Sequence, residues 1–193
     1  MMRRGLWIAV AVVAVIVLAG LLVFGSFVSA QKQMVAKQEA VRAQWSNVQA
    51  VLQRRADLIP NLVATVKGYA THEETVFADV DKARESLLAA HDPQSQIRAN
   101  GQLDGALGRL LAIAENYPNL KANENFLQLQ DSLEGTENRI AVERRRYNET
   151  LQDYNTFIGQ IPNNVWAHFA GFKPNTAYFE ASPASQAAPQ VHF

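Results

Sequence analysis

The hydrophobic positions of the chain follow one pattern up to residue 28 and a different one after it. Leu6 to Val28 is a run of 23 residues without a charge. A helix rises about 1.5 Å per residue and the hydrocarbon core of a bilayer is about 30 Å thick, so this run is long enough to cross it. The pattern predicts a transmembrane anchor over residues 6–28, preceded by a short basic N-terminus over residues 1–5.

A cleaved signal peptide is the competing interpretation of the same run. Arg3 and Arg4 would form its basic region, and Val28-Ser29-Ala30 would be its cleavage site. The apolar core of a signal peptide is about 7–15 residues long, however, and this run is longer. We therefore favour an uncleaved anchor, with Trp7 near one membrane interface and Phe24 and Phe27 near the other.

After residue 30 the apolar positions recur at helical spacing, and no segment alternates as a strand does. The anchor helix is therefore expected to continue into a long helix outside the membrane. Pro60 should kink or break that helix near Leu58, because proline lacks the backbone N–H and clashes with the preceding turn. The apolar positions that carry this prediction are Val41, Trp45, Val48 and Leu52.

Two shorter helices are expected next. Thr71 and Glu74 have the spacing of a capping box for the first of them. Asp92 can cap the second, with Pro93 at its first position. Glycines at 101, 105 and 108 lie within the apolar pattern of this second helix, and we interpret them as positions of close helix–helix approach.

The most regular signal is a heptad in the last long helix. Extended packing against neighbouring helices at a shallow crossing angle explains such a repeat. Two long helices with two shorter ones between them, joined by short loops, predict an all-α antiparallel four-helix bundle over residues 29–160. The heptad positions are Phe126, Leu133, Ile140, Tyr147 and Tyr154.

The chain changes character after residue 160. An aromatic C-terminal segment over residues 161–180 is expected to pack on the end of the bundle, or else to form an exposed binding patch. Residues 181–193 consist mostly of Ala, Ser, Pro and Gln and are predicted to be a disordered tail.

Composition and charge remove several classes of function. Lys plus Arg equals Asp plus Glu, 18 against 18, which argues against a nucleic-acid partner. The chain has no cysteine, so thiol nucleophiles and cysteine-ligated metals are excluded. It has no glycine-rich phosphate loop after a strand and no Glu-x-x-His pattern of a di-metal bundle. We expect no catalytic residue, no cofactor and no metal, and hence no enzyme.

Basic and aromatic residues remain as candidates for interaction. Arg54, Arg55 and the run Arg144-Arg145-Arg146 could contact acidic lipid or a partner chain, although a solvated helix face is the simpler interpretation. Trp166, Phe169 and Phe172 are the aromatic candidates.

Three ordered blocks of the sequence resemble the LemA family. The first is Arg54 to Val63. The second is Tyr117 to Ala122, followed by Phe126 and Leu129. The third runs from Leu133 to Asn148 and is followed by Tyr154-Asn155. The resemblance covers roughly residues 5–180. It implies a bacterial, single-pass, membrane-anchored four-helix bundle without an established enzymatic activity. One type of member is associated with magnetosome membranes, which suggests a membrane-organising role.

The sequence thus predicts a membrane-anchored scaffold of the bacterial cell envelope that self-associates and organises or remodels membrane. An adaptor for another membrane protein, such as a protease or transporter, is the alternative, and a ligand sensor within the bundle is a third hypothesis. Charges flank both ends of the span, with Arg3 and Arg4 before it and Lys32, Lys37 and Arg42 after it. We expect the bacterial inner membrane, with the bundle on its outer side.

Overall fold

The structure is a computed structural model that describes residues 2–180, and this part of the chain contains helices but no strand. The all-α fold predicted from the sequence is confirmed. The prediction of a disordered tail lies outside the described residues. In chain order the helices are α1 (Met2–Lys67), α2 (Glu74–Ala89), α3 (Pro93–Ala114), α4 (Pro118–Lys121), α5 (Glu124–Gly159) and α6 (Asn163–Ala170).

The described residues form two compact units. The first, here called the anchor unit, contains the described residues up to Val41 together with Thr150–Asn175. The second, the bundle unit, contains Arg42–Glu149 together with the described residues from Thr176 onward. Each unit is built on part of α1 and part of α5, so each is described on its own.

The first part of α1 has an apolar surface against which none of the described residues packs. Leu18 is 60% exposed and Leu22 is 68% exposed. Among the described residues, α1 alone is long and apolar enough to cross a membrane, although a signal sequence near an N-terminus would meet the same criterion. Side chains of α1 become buried against protein only near the end of the span, where Ala30 is 5% exposed and Met34 is fully buried.

Beyond the span, α1 and α5 run antiparallel in the anchor unit. The Lys37 ammonium lies 2.5 Å from an Asp153 carboxylate oxygen and 5.3 Å from the centre of the Phe157 ring. α6 follows α5, and its Trp166 packs edge-on against Phe27 with ring centroids 5.5 Å apart. Gly171 ends α6 with a φ of 78°, which glycine adopts without steric cost.

In the bundle unit, helices adjacent in sequence run antiparallel around one core. Cross-helix contacts define the directions: Lys67 lies over the Phe77 ring of α2, and Arg109 of α3 pairs with Asp79 of α2. α5 returns along α1, with Tyr69, just after α1, near Asn123, just before α5. The largest fully buried side chains of this core are Tyr147, Ile59, Leu62, Leu103, Leu110, Leu120, Ile140, Val48, Val66 and Val80.

Of the predicted kink or break at Pro60, the break is wrong, since the helix continues to Lys67. Proline at this position leaves the Ala56 carbonyl without its helical donor. Arg84 of α2 supplies the missing bond, because its Nε donates to the Ala56 carbonyl oxygen over 2.8 Å. Ala56 and Ile59 are fully buried, so the bond is made where water cannot replace it.

The sequence predicts a side-chain cap at the start of α2 and another at the start of α3. α2 begins at Glu74 without a side-chain cap, so the predicted Thr71–Glu74 capping box is wrong. Instead, the first turn of α2 is closed by backbone bonds from the N–H groups of Val76 and Phe77 to the Glu73 carbonyl. The cap at Asp92 is present: its carboxylate accepts from the Ser95 hydroxyl and N–H, and these bonds lower the pKa of Asp92.

The glycines of α3 do not mark close helix contacts, contrary to the prediction. A Cβ placed at Gly101, Gly105 or Gly108 would meet no atom within 4 Å. The three positions lie on the exposed face of α3, while Leu103, Leu107, Leu110 and Ala114 form its buried face. The apolar residues, not the glycines, therefore set the packing of this helix.

We predict that the Arg84→Met substitution lowers the free energy of unfolding by about 1–3 kcal/mol, because it leaves the buried Ala56 carbonyl without a donor. The loss should shrink in a Pro60→Ala background, where the backbone N–H of residue 60 can bond to that carbonyl. Denaturant unfolding of the full-length protein in mild detergent measures all four members of this double-mutant cycle.

The matched control is Arg139→Met, since Arg139 is exposed on α5 and its substitution should change stability by less than about 0.5 kcal/mol. An equal loss from Arg84→Met in both backgrounds would show that Arg84 does not act through the proline gap.

Candidate functional site

The guanidinium of Arg55 forms the polar centre of the bundle unit. Arg55 is only 7% exposed, although it lies on α1 among apolar positions. Its Nη1 donates to Asn100 Oδ1 over 3.0 Å and also to Asp104 Oδ1, both on α3. The same nitrogen lies 3.2 Å from Glu137 Oε2 on α5. One buried cation therefore connects three helices of the bundle.

The charges of this cluster balance. Arg144 Nη2 lies 3.7 Å from Asp104 Oδ2, so two cations face the two carboxylates of Asp104 and Glu137. Asn100, which is fully buried, donates its amide to Asp104 Oδ2 over 3.2 Å.

Arg144 also connects the cluster to an aromatic group. Its guanidinium carbon lies 5.1 Å from the centre of the Phe179 ring, a cation–π distance. Phe179 in turn stacks on Trp45, at 6.1 Å, and meets Tyr147 edge-on, at 5.9 Å. Trp45 and Tyr147 are buried in the core. The C-terminal segment thus closes the core of the bundle unit at this point.

Asn148 holds this segment by its backbone. Its amide Nδ2 donates to the Phe179 carbonyl over 2.8 Å, and its Oδ1 accepts from the Phe179 N–H over 3.0 Å. The side-chain amide therefore matches both backbone groups of a single residue. Such a paired contact fixes the position of the segment as well as its direction.

The anchor unit contains a second contact of the same kind. Asn155 donates to the Asn175 carbonyl over 2.7 Å and accepts from the Asn175 N–H over 2.9 Å. Next to it, the Tyr154 hydroxyl donates to the Lys173 carbonyl over 3.0 Å. Burial raises the pKa of Tyr154. The stabilisation from its neutral phenol is therefore lost only as the pH rises above the ordinary value of about 10.

The candidate interaction residues fall into buried and exposed groups. Arg55 is buried and engaged, which argues against a surface contact, and Arg144 is largely covered. Arg54 is exposed, and the side chains of Arg145 and Arg146 are 71% and 59% exposed. Of the aromatic candidates, Trp166 and Phe172 are half-buried, whereas Phe169 is 79% exposed.

The partners of Arg55 were missed from the sequence. Arg55 lies three residues after Leu52 and four before Ile59, which are both buried, so its position on the core face of α1 was a usable signal. Asp104 and Asn100 gave no comparable signal. They are 49 and 45 residues away from Arg55 in the sequence, and a local sequence pattern cannot predict contacts between residues so far apart.

An open cleft of about 390 Å³ lies beside the cluster, lined by leucines of α3 and α5 as well as by Arg55, Asp104 and Glu137. Within the described part of the chain, no group of three or more His, Cys, Asp or Glu side chains is placed to hold a metal ion. The geometry of this site is that of a helix-register contact: charges from three helices neutralise one another.

Comparison with known proteins agrees with the three sequence blocks. A model of the LemA family matches residues 44–193. The chain belongs to the LemA family. Arg55, Asn100, Asp104, Glu137, Asn148 and Phe179 all lie within the matched residues.

Individual relatives include proteins of magnetosomes. The chain is 30% identical over 176 residues to Magnetosome protein MamQ 2 of Paramagnetospirillum magneticum, covering 78% of this chain and 64% of the relative. Magnetosome protein MamQ of Magnetospirillum gryphiswaldense is 30% identical over 172 residues, which cover 76% of this chain and 63% of the relative. The chain thus spans less than two thirds of the length of these relatives.

A relative outside the magnetosome group is Protein LemA of Metamycoplasma hominis. It is 26% identical over 157 residues, covering 81% of this chain and 71% of the relative. Together with the apolar exposed part of α1, these likenesses identify a membrane-associated helical protein.

We predict that Arg55→Met lowers the free energy of unfolding by about 2–3 kcal/mol, because it removes the cation that Arg55 supplies to Glu137 and leaves Asp104 with the longer Arg144 contact alone. Partial exposure of Asp104 and Glu137, at 39% and 44%, keeps the loss below that of a fully buried pair. Denaturant unfolding measures it. Arg54→Met, one residue away on the exposed face, is the control, and equal losses in the two variants would contradict the assigned role.

We also predict that Asn148→Ala releases the segment around Phe179 while α5 remains folded, because both backbone bonds to that residue are lost. Hydrogen exchange at Phe179 and nearby amides should accelerate, whereas exchange within α3 should not. The control is Asn138→Ala, an exposed position on the same helix. Unchanged exchange at Phe179 in Asn148→Ala would show that aromatic packing alone holds the segment.

Proposed function

We propose that this protein is a non-enzymatic scaffold of the bacterial inner membrane, which associates with copies of itself and organises the bilayer around it. The observation that carries the proposal is the composition of α1. One helix contains both an exposed apolar segment and part of the buried core of the bundle unit. The segment proposed to cross the membrane and one helix of the bundle unit are therefore parts of the same helix.

The names of the relatives support a role at membranes. Two of them are magnetosome proteins, and their similarity to this chain extends over three quarters of it. The ion pairs around Arg55 serve helix register, and the proposal assigns no chemistry to them. The orientation we propose places the basic residues Arg3 and Arg4 in the cytoplasm and the bundle unit outside.

Self-association is proposed to use the exposed arginines of the bundle unit. Arg145 contacts Glu149 of its own helix at 4.0 Å, with both side chains largely exposed. An exposed pair of this kind adds little to stability, so Arg145 is available for contact with a carboxylate of another copy. Arg54 belongs to the same proposal, because it is exposed as well.

The test is the molar mass of the full-length protein in mild detergent, measured by light scattering after size exclusion. A uniform assembly of several copies is expected, because association is part of the proposed role. Arg145→Glu should reduce the mass, since it reverses a charge on the proposed contact surface. Circular dichroism checks that the variant is folded.

Arg109→Glu serves as the matched charge reversal, because Arg109 is exposed on α3 and pairs with Asp79. It should leave the mass unchanged. A folded protein that remains monomeric in every detergent and lipid would contradict the scaffold.

A further inference from the structure

Apolar side chains are exposed on and just before α6, in the anchor unit. Val165 and Phe169 lie four residues apart on one face of α6 and are 46% and 79% exposed. Ile161, four residues earlier, is 85% exposed. The opposite side of α6 is packed, with Ala167 buried. Several large apolar side chains left together in water are costly, so this face is expected to have a partner.

The position of α6 identifies where that partner lies. Trp166 of α6 packs against Phe27. Phe27 is the point at which α1 changes its surroundings: the side chains from Val10 to Ser26 are exposed, whereas Ala30 and Met34 are buried in protein. A span that begins at Leu6 reaches the far edge of a hydrocarbon core of about 30 Å near residues 26–28. α6 therefore lies beside the end of the membrane span.

The charge around α6 favours a lipid surface. The sequence has no acidic residue from Tyr154 to Phe179 and none before Glu39. The cations of these stretches include Lys32, which follows the span, and Lys173, which follows α6, and both are exposed. Bacterial headgroups that carry negative charge attract such lysines, and aromatic side chains favour the boundary between headgroups and acyl chains.

We propose that α6 is a second membrane contact, in which Ile161, Val165 and Phe169 insert into the headgroup–acyl boundary of the bilayer that α1 spans. The contact adds an amphipathic surface helix to a transmembrane anchor. It would hold α6 against the bilayer surface beside the end of the span. It is independent of self-association, and it rests on α1 crossing the bilayer.

The absence of cysteine in the chain allows a direct test. Single cysteines at Val165→Cys and Phe169→Cys carry spin labels on the full-length protein in nanodiscs of phosphatidylethanolamine and phosphatidylglycerol. Collision with oxygen reports acyl chains, and collision with a water-soluble nickel chelate reports water. Leu18→Cys, in the span, is the membrane control, and Gln152→Cys, exposed on α5, is the water control.

The proposal predicts that the nickel collision rate at 165 and 169 is several-fold lower than at Gln152→Cys, while the oxygen rate approaches that at Leu18→Cys. Labels as accessible to nickel as the one at Gln152→Cys would overturn it. Labels shielded from both reagents, with or without spin–spin broadening between copies, would also overturn it, because protein and not lipid would then cover the face.

A third label at Ile161→Cys guards against a local effect of the substitutions in α6, since Ile161 lies outside the helix. It should show the same lipid signature, and a water-like signature there together with water-like signatures at 165 and 169 would overturn the proposal. A failure of the membrane anchor itself is separate, because the Leu18→Cys label would then be accessible to nickel.

Discussion

The backbone hydrogen bonding of α1 is the constraint on which the rest of the structure depends. The helix must remain continuous to Lys67, or the buried side chains at Leu62 and Val66 would lose their place in the core. Pro60 removes one bond from the series, and the carbonyl thereby freed lies in a dry interior. Arg84 makes the replacement bond from a different helix. A tertiary contact thus maintains a secondary structure that the local sequence disfavours.

Polar contacts then fix how the remaining helices meet α1. Burial of Arg55 costs it the hydration of its charge. Its three partners offset that cost only when α1, α3 and α5 are packed in the register that brings them together. Arg144 extends the same network to Phe179, where Asn148 satisfies both backbone groups. Apolar burial supplies most of the stability of such a bundle, while contacts of this kind select one arrangement among several that would bury similar area.

Signals within a few residues of one another were sufficient to predict much of this fold. The uncharged run up to Val28 and the cap at Asp92 are examples, because each depends on neighbours in sequence. The continuity of α1 at Pro60 could not be predicted, since its partner is 28 residues from the orphaned carbonyl. The predicted close helix contact at Gly105 was wrong for a related reason. The spacing places Gly105 on one face of α3, but it does not show whether another helix packs on that face. Of the residues in the candidate site, Arg55 alone carried a sequence signal, because it is a charged residue at an apolar position of the helical pattern.

The proposed function requires copies of the protein to associate within a membrane, and energy transfer between labelled copies in vesicles tests this requirement most directly. Full-length protein would carry a donor or an acceptor at Arg139→Cys, an exposed position in an otherwise cysteine-free chain. The account predicts that transfer persists when the lipid-to-protein ratio is raised stepwise, because the copies are held together. Transfer that falls to the level of random encounters on dilution, with the protein folded and inserted, would contradict it.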